Sequence, residues 1–399
     1  MGTHCKKAYS SFRRTVKKFE LKNMVKERKN IWLRKLDKFF GIPIIYFLGF
    51  FRKKKIRNKD IIPQKIGLLL SAGIGDAIVL SGVVYDIRKA FPKARIIFFC
   101  SNNNYSLVKH LSCLTKIICL PISNLLKSRR MIKSQGTFDY WLDFGQWPRI
   151  NALLSFFVSA KYKIGYRSIN QYRHYIYDNV VDHKKNVHEI INFRNLASVI
   201  DVISTSSPRI DFLPCEERSF LDEISGHYVV FHMFPSGNNL DFRKWERHYW
   251  VEVAEKLVNR GVSVIFTGIL ENYEESEIVK SQVGSKLVCN LAGKLELDQT
   301  LLLIERAKCV VTINTGIMHL SALTSTPLIV LDGPVSSFRW GPLTNNVEII
   351  KAKGISCSPC LHLGFEFKCS KNICMKNICP IKVFNKIEKV INLNKEINS

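Results

Sequence analysis

Acidic residues are scarce in this chain: 33 Asp and Glu stand against 60 Lys and Arg in 399 residues, a formal net charge of +27. Repulsion of that size disfavours compaction unless an anionic partner offsets it, so a polyanion is expected. Nucleic acid, anionic lipid and a phosphorylated glycolipid all answer to that requirement, and charge alone does not choose between them. Long apolar runs are also missing. The run Phe39 to Phe51, FFGIPIIYFLGFF, stops at 13 residues, short of the roughly 20 that a spanning helix needs. A lysine cluster rather than a small-residue cleavage site follows it, which argues against a signal peptide. Twelve cysteines without a secretory signal predict a reducing compartment, the cytoplasm, rather than a disulfide framework.

What charge there is lies unevenly. Residues 1–65 hold 20 Lys or Arg and 4 Asp or Glu, a surplus of 16 out of 27. Lys38 precedes the apolar run and Arg52-Lys-Lys-Lys55 follows it. Aromatic side chains between basic flanks predict a monotopic segment, with rings in the membrane interface and cations on lipid phosphates. The competing expectation is a helix packed on the main body. Residues 1–64 are therefore set apart as a basic extension, peripheral on an anionic membrane.

From Lys65 onward, short apolar runs alternate with stretches of helical length. Residues 65–70, 94–100, 116–120 and 138–144 read as buried strands, and a second series follows at 228–233, 262–267, 309–313 and 327–331. Between the series, the polar stretch 204–217 breaks the periodicity and places a linker near residues 205–225. Repeated alternation of this kind predicts α/β architecture, with two Rossmann-like doubly wound domains, 65–215 and 216–399. Ligands bind such sheets beyond the carboxyl ends of the strands, so the residues just after each strand carry the functional expectation.

Four places meet it. Ser71-Ala-Gly-Ile-Gly-Asp76 follows the first strand and opens a helix; Gly73 and Gly75 allow a tight turn and close approach. Asp76 there is either a general base facing the crevice or a helix cap. The loop is not G-x-G-x-x-G, and Ile97 to Cys100 ends without an acidic ribose ligand, which weighs against a nicotinamide cofactor. His232 to Trp245 reads HMFPSGNNLDFRKW: Ser236 and Gly237 offer a small phosphate-facing loop, Arg243 and Lys244 offer cations, and Trp245 would plug the loop onto the next helix. Gly268 and Glu271 follow another strand, where a carboxylate suits a ribose. Finally, Asn314 or Thr315 would cap a helix whose free amides, at Gly316, face the crevice as an anion site, with His319 one turn further on.

In this order, Gly73-Ile-Gly-Asp76, Lys244-Trp245, Asn314-Thr-Gly-Ile-Met-His319, Asp332-Gly-Pro334 and Arg339-Trp-Gly-Pro342 resemble glycosyltransferase family 9, the heptosyltransferases, over roughly residues 65–393. The resemblance implies a GT-B architecture, with an N-terminal acceptor domain and a C-terminal nucleotide-sugar domain across a cleft, and no catalytic metal or other cofactor. It implies Asp76 as the base, Lys244, Ser236, Thr315 and Gly316 on the donor diphosphate with His319 beside them, and displacement with inversion. One departure is Asn314, where the family has Asp. An amide can still cap the helix but brings no negative charge to the sugar or nucleotide.

The resemblance leads to heptose transfer from ADP-heptose to a phosphorylated, lipid A-linked lipopolysaccharide core at the cytoplasmic face of the inner membrane. No nucleic acid partner is expected. The same fold with another nucleotide-sugar, for outer core, O-antigen or capsule, is the alternative, and a nonenzymatic basic membrane- or nucleic-acid-binding protein is the more distant one. Cys357-x-x-Cys360 with Cys369 and Cys374 is a candidate structural metal set, although no second C-x-x-C accompanies it.

Overall fold

The computed structural model describes residues 37–58, 62–146, 149–212, 218–222, 224, 226–236, 240–361, 369 and 371–396. Most of the basic extension, part of the expected linker and Gly237 lie outside the described residues.

Two six-stranded sheets carry the fold. The first contains β1 (Lys65–Leu69), β2 (Arg95–Cys100), β3 (Lys116–Cys119), β4 (Phe138–Asp143), β5 (Ala160–Arg167) and β6 (Asn179–Asp182), in the order β3-β2-β1-β4-β5-β6. The second contains β7 (Tyr228–His232), β8 (Ser263–Phe266), β9 (Val288–Asn290), β10 (Cys309–Ile313), β11 (Leu328–Leu331) and β12 (Val347–Ile350), in the order β12-β11-β10-β7-β8-β9. All pairings are parallel. The central strands β1, β4, β7 and β10 are buried along nearly their whole length, as continuous apolar runs covered on both faces should be. The α/β architecture of two doubly wound halves is the one expected from the strand pattern.

The helices that position the site are α1 (Ile42–Phe50), α2 (Ile74–Ala90), α3 (Arg149–Phe156), α4 (Glu189–Ser198), α5 (Arg247–Val258), α6 (Tyr273–Val283), α7 (Gly316–Ser321) and α8 (Pro380–Glu396). In α2, Gly73 at the N-cap is extended, Asp76 sits in the first turn, and Arg88 and Lys89 lie in the last. Both ends thus carry the charge that the helix dipole favours.

The two halves are sewn together. Asp86 of α2 accepts from the Ser204 and Ser206 hydroxyls at 2.7 and 2.6 Å and from the Thr205 and Ser206 amides at 3.0 Å, which fixes the chain where it leaves the first half. One apolar cluster runs from Val79 and Val83 of α2 to Ile317, Met318 and Leu320 of α7. Each such buried side chain contributes about 1.5–3 kcal/mol, so the faces of the two halves are held in contact at this point.

Candidate active site

The chain reverses its winding direction between β1 and β4 in the first sheet and between β7 and β10 in the second. Crevices open at such reversals, and the loops after these four strands carry the candidate residues. After β1 the backbone turns at Gly73 into α2; after β10 it turns at Thr315 into α7, with the Thr315 Oγ1 accepting the Ile317 amide at 3.2 Å.

The starts of α2 and α7 touch. A Cβ on Gly316 would stand 2.4 Å from Cγ1 of Ile74, and one on Gly75 would stand 2.9 Å from Cδ2 of His319. A side chain at either position would force its neighbour to move, so Gly75 and Gly316 let the start of α2, which carries Asp76, meet the Asn-Thr-Gly-Ile-Met-His segment of the other half.

Asp76 is both a cap and more than a cap. Its Oδ2 accepts the Gly73 amide at 3.2 Å, and its Oδ1 accepts Nε2 of Gln146 at 3.2 Å. The carboxyl is half-buried by exposed surface yet densely enclosed by protein, as suits the floor of a narrow crevice. Desolvation pushes its pKa from 3.8 up to about 6; the Gln146 and Gly73 hydrogen bonds oppose the rise, and the charge of Glu189 adds to it. A carboxylate with a pKa near 6 is a stronger base than an exposed one and is still largely ionised at neutral pH.

Gln146 is held from behind. Its carbonyl accepts the Ser168 hydroxyl, and the preceding Gly145 carbonyl accepts the Arg173 guanidinium. Arg173 also pairs with Asp143, both fully buried, and Asp143 further accepts the Gly145 amide at 2.9 Å and Nδ2 of Asn151 at 3.3 Å. This network fixes the turn after β4 that aims Gln146 at Asp76.

A second buried ion cluster crosses between the halves. Arg339 reaches Oε2 of Glu189 with Nε at 3.2 Å and Nη2 at 3.0 Å, while Oε1 of Glu189 lies 2.8 Å from Nε2 of His183. Next to it, Nε2 of His188 lies 3.0 Å from the Gly341 carbonyl. The segment Arg339-Trp-Gly-Pro342 thus clasps the start of α4, and it does so beside the carboxylate whose charge reaches Asp76.

In the loop after β7 the structure separates Arg243 from Lys244. Arg243 turns inward: Nη1 donates to the Ser236 carbonyl at 2.6 Å and Nη2 to the Asn314 carbonyl at 2.5 Å, with burial lowering its pKa to about 10. It joins the loops after β7 and β10. Lys244 instead lies 3.3 Å from Glu275 of α6 and 3.7 Å from Asp241, with its side chain about a third exposed. Trp245 plugs the loop as expected, packing on Tyr249 and Trp250 of α5 and donating to the Ile378 carbonyl at 2.9 Å.

His319 is buried, and burial, with the charge of His188, lowers its pKa to about 3. It is a neutral imidazole, not a cation. Asn314 keeps a buried Nδ2 without a hydrogen-bond partner. Gly268 packs against Asn272 and its carbonyl accepts the Gly293 amide at 2.8 Å, while Glu271 is exposed on the following turn. Among the described residues no group of three His, Cys, Asp or Glu side chains is arranged to hold a metal ion. Burial, with the neighbouring cysteines of the set Cys357, Cys360, Cys369 and Cys374 adding to it, raises the Cys360 and Cys374 thiols, but the four do not form such a group.

Sequence reasoning missed Gln146 and Glu189, and it named Arg339 only as part of a motif, without a role. Gln146 stands just after a predicted strand and was open to the same search that found Asp76. The pairing of Glu189 with Arg339 has no local signal, because the two lie in opposite halves.

A family model for glycosyltransferase family 9 (heptosyltransferase) matches residues 135–371. The lipopolysaccharide heptosyltransferase 2 of Salmonella typhimurium is 30% identical over 112 residues, 27% of this chain, and the match spans 32% of that protein's length. The lipooligosaccharide heptosyltransferase 2 of Campylobacter jejuni serotype O:2 is 24% identical over 336 residues, 82% of this chain and 98% of the relative. Among solved structures, the ADP-heptose lipopolysaccharide heptosyltransferase II of Escherichia coli matches with a TM-score of 0.65 at 18% identity, covering 83% of this chain and 99% of that one. At that identity the likeness is one of fold, and the fold is GT-B.

Proposed function

Because the chain belongs to glycosyltransferase family 9, the heptosyltransferases, we propose that it is an inverting transferase moving heptose from ADP-heptose to a phosphorylated, lipid A-linked lipopolysaccharide core. The observation that carries this reading is Asp76, a carboxyl raised to about 6 and held by Gln146 where the two halves meet. Residues 65–215 present the acceptor and residues 216–399 the nucleotide-sugar. Asp76 takes the proton of the acceptor hydroxyl as the oxygen attacks the anomeric carbon, and ADP leaves from the opposite face.

Ser236, Thr315 and Gly316 meet the diphosphate, and Lys244 turns from Glu275 to neutralise it, with Arg243 fixing the loops that carry these groups. Gly268 and Glu271 line the nucleoside side, and neutral His319 donates one hydrogen bond beside Gly75. Work at the cytoplasmic face of the inner membrane fits the basic residues 1–64; among the described residues no helix is long and apolar enough to cross a membrane.

Asn314 favours a second reading, the same reaction with a different nucleotide-sugar. Its buried, unpartnered Nδ2 offers a donor where the family's Asp offers an acceptor, so it selects a different hydroxyl orientation. Thermal-shift panels of ADP-, UDP- and GDP-sugars on the wild type and Lys244→Ala decide between the two. Stabilisation by ADP-heptose that Lys244→Ala weakens is expected. Stabilisation by none of the panel would refute both readings.

A further inference from the structure

The segment from Phe39 to Phe51 remains outside the catalytic argument, and its surface is unusual. Phe39, Phe40, Tyr46, Phe47, Phe50 and Phe51 are between 55% and 79% exposed. Isolated exposed apolar side chains are ordinary, but a contiguous aromatic patch marks an interaction site. A helix that is apolar on all sides belongs in a core or a lipid environment, and in α1 only Ile45 is buried.

The outward face is not a matter of loose attachment. Ile45 packs with Ala152, Ile176 and Tyr177. Gly49 lies so close to Tyr175 that a Cβ there would stand 2.5 Å from the Tyr175 Cβ. Arg52 closes the end of the helix with an ion pair to Asp178 at 2.6 Å, where the carboxylate is fully buried and also accepts the Lys55 amide at 2.8 Å. These contacts set the rotation of α1 and leave Phe47 and Phe50 among its most exposed rings. Phe47, Phe50, Ile42 and Tyr172 line a shallow apolar hollow on that face.

Charge selects the occupant. From Lys38 to Asn58 there is no acidic residue, and Lys53 and Lys54 are exposed at the end of the helix. Residues 1–36 of this chain carry 12 Lys or Arg and 2 Glu, so they would be repelled by this cluster, and a second copy would bring the same positive charge. An anionic bilayer supplies both requirements, phosphates for the lysines and an interface for the rings.

The placement also connects to chemistry. The turn Arg173–Ile176, on which α1 rests, supplies the guanidinium that holds Asp143 and the Gly145 carbonyl, one residue from Gln146. Tyr46 of α1 meets Tyr175 of that turn at 5.0 Å between ring centroids. The membrane-facing helix and the support of Asp76 therefore share one rigid element of the first half. We propose that the aromatic face of α1, with Lys53 and Lys54, seats the acceptor half on an anionic bilayer, so that a lipid-linked acceptor enters the crevice beside Asp76 without leaving the membrane. This rests on the reading of the chain as a transferase with a lipid-linked acceptor.

The test uses the full-length chain with vesicles of phosphatidylethanolamine and phosphatidylglycerol, compared with phosphatidylcholine alone. Flotation is expected with the anionic vesicles only. Phe47→Glu/Phe50→Glu is expected to weaken it by about tenfold or more, and Lys53→Glu/Lys54→Glu by about tenfold. High salt screens the contribution of residues 1–36, and the effect of the phenylalanine pair should persist there. Turnover is followed in parallel on a vesicle-borne acceptor and on its delipidated, phosphorylated core oligosaccharide. Both variants should lose turnover on the first and keep it on the second. Flotation unchanged by the phenylalanine substitutions overturns the proposal, as does a dimer that dissociates in Phe47→Glu/Phe50→Glu while flotation stays constant. Absence of wild-type turnover on the oligosaccharide, with flotation behaving as expected, counts against the transfer reading and leaves the docking surface in place.

Discussion

Replacing Asp76 by Asn should abolish transfer and at the same time stabilise the fold at neutral pH. A carboxyl with a pKa of 3.8 in the unfolded chain and about 6 in the folded one is held ionised at neutral pH against its surroundings. Each tenfold change in proton affinity is about 1.4 kcal/mol, so the folded state carries a penalty of about 3 kcal/mol from this group. Between pH 4 and 6 the folded state binds the proton more tightly than the unfolded state, so the wild type loses stability as pH rises through this window. Asn carries no charge and escapes the penalty. Its oxygen can still accept the Gly73 amide at the position of Oδ2, and Gln146 meets its NH2 by turning its own amide over. One imperfect hydrogen bond costs about 1 kcal/mol. Urea unfolding at a series of pH values should therefore show Asp76→Asn more stable by about 2 kcal/mol above pH 6, with the advantage gone below pH 4. The wild-type pH–rate profile should have its acidic limb near 6. A gain that persists at pH 4 or is absent at pH 7 would refute the enclosed carboxylate, and full turnover in Asp76→Asn would refute the base.

Three further outcomes follow from the contacts around it. Arg339→Leu leaves the buried Glu189 carboxyl with His183 and Asn192 but no cation on its Oε2, so it should lower unfolding stability by about 3–5 kcal/mol; the double variant with Glu189→Leu should recover much of that, measurable in a double-mutant cycle. Gly316→Ala puts a methyl 2.4 Å from the Ile74 Cγ1, and the overpacking should cost about 1–3 kcal/mol and lower kcat by prising the two helix starts apart; steady-state kinetics with unchanged kcat would contradict the close approach. Arg243→Gln loses the charged bridge between the Ser236 and Asn314 carbonyls, so calorimetric titration should show donor affinity falling by about tenfold or more, even though the side chain itself makes its contacts with protein carbonyls.

The legibility of the fold in the sequence followed burial. Strands such as β1, β4, β7 and β10 lie at the middle of sheets covered by helices, so their side chains are apolar without interruption and stand out. β5 is also central, yet Lys161, Lys163 and Arg167 interrupt its pattern. Lys163 is accommodated in the sheet because its Nζ donates to the Phe156 carbonyl at 3.0 Å and burial lowers its pKa to about 7, a solution made by residues that the strand does not contain. Of the four edge strands, β3 was read from its apolar run, whereas β6, β9 and β12, of three or four residues each, mix their apolar residues with Asn, Asp or Glu and show no such run. Likewise, Gly73, Gly75 and Asp76 were legible because backbone freedom and a carboxylate after a strand have a local meaning. Arg243 and Lys244 were not distinguishable, because the 3-10 turn Leu240–Arg243 decides which of two neighbouring cations turns inward.

What the sequence could not express is that Asp76 depends on both halves of the molecule. Its hydrogen bonds come from Gly73 and Gln146, in its own half, but the residues just before it, Ile74 and Gly75, lie against Gly316 and His319 of the other. Glu189, whose charge raises its pKa, is itself neutralised by Arg339 from the other half. Separation of the halves would readmit water and return the carboxyl towards 3.8, leaving it a weaker base by up to about two orders of magnitude in proton affinity. If Asp76 is the base proposed above, its strength as a base depends on the two halves staying in contact, because it is burial that raises its proton affinity.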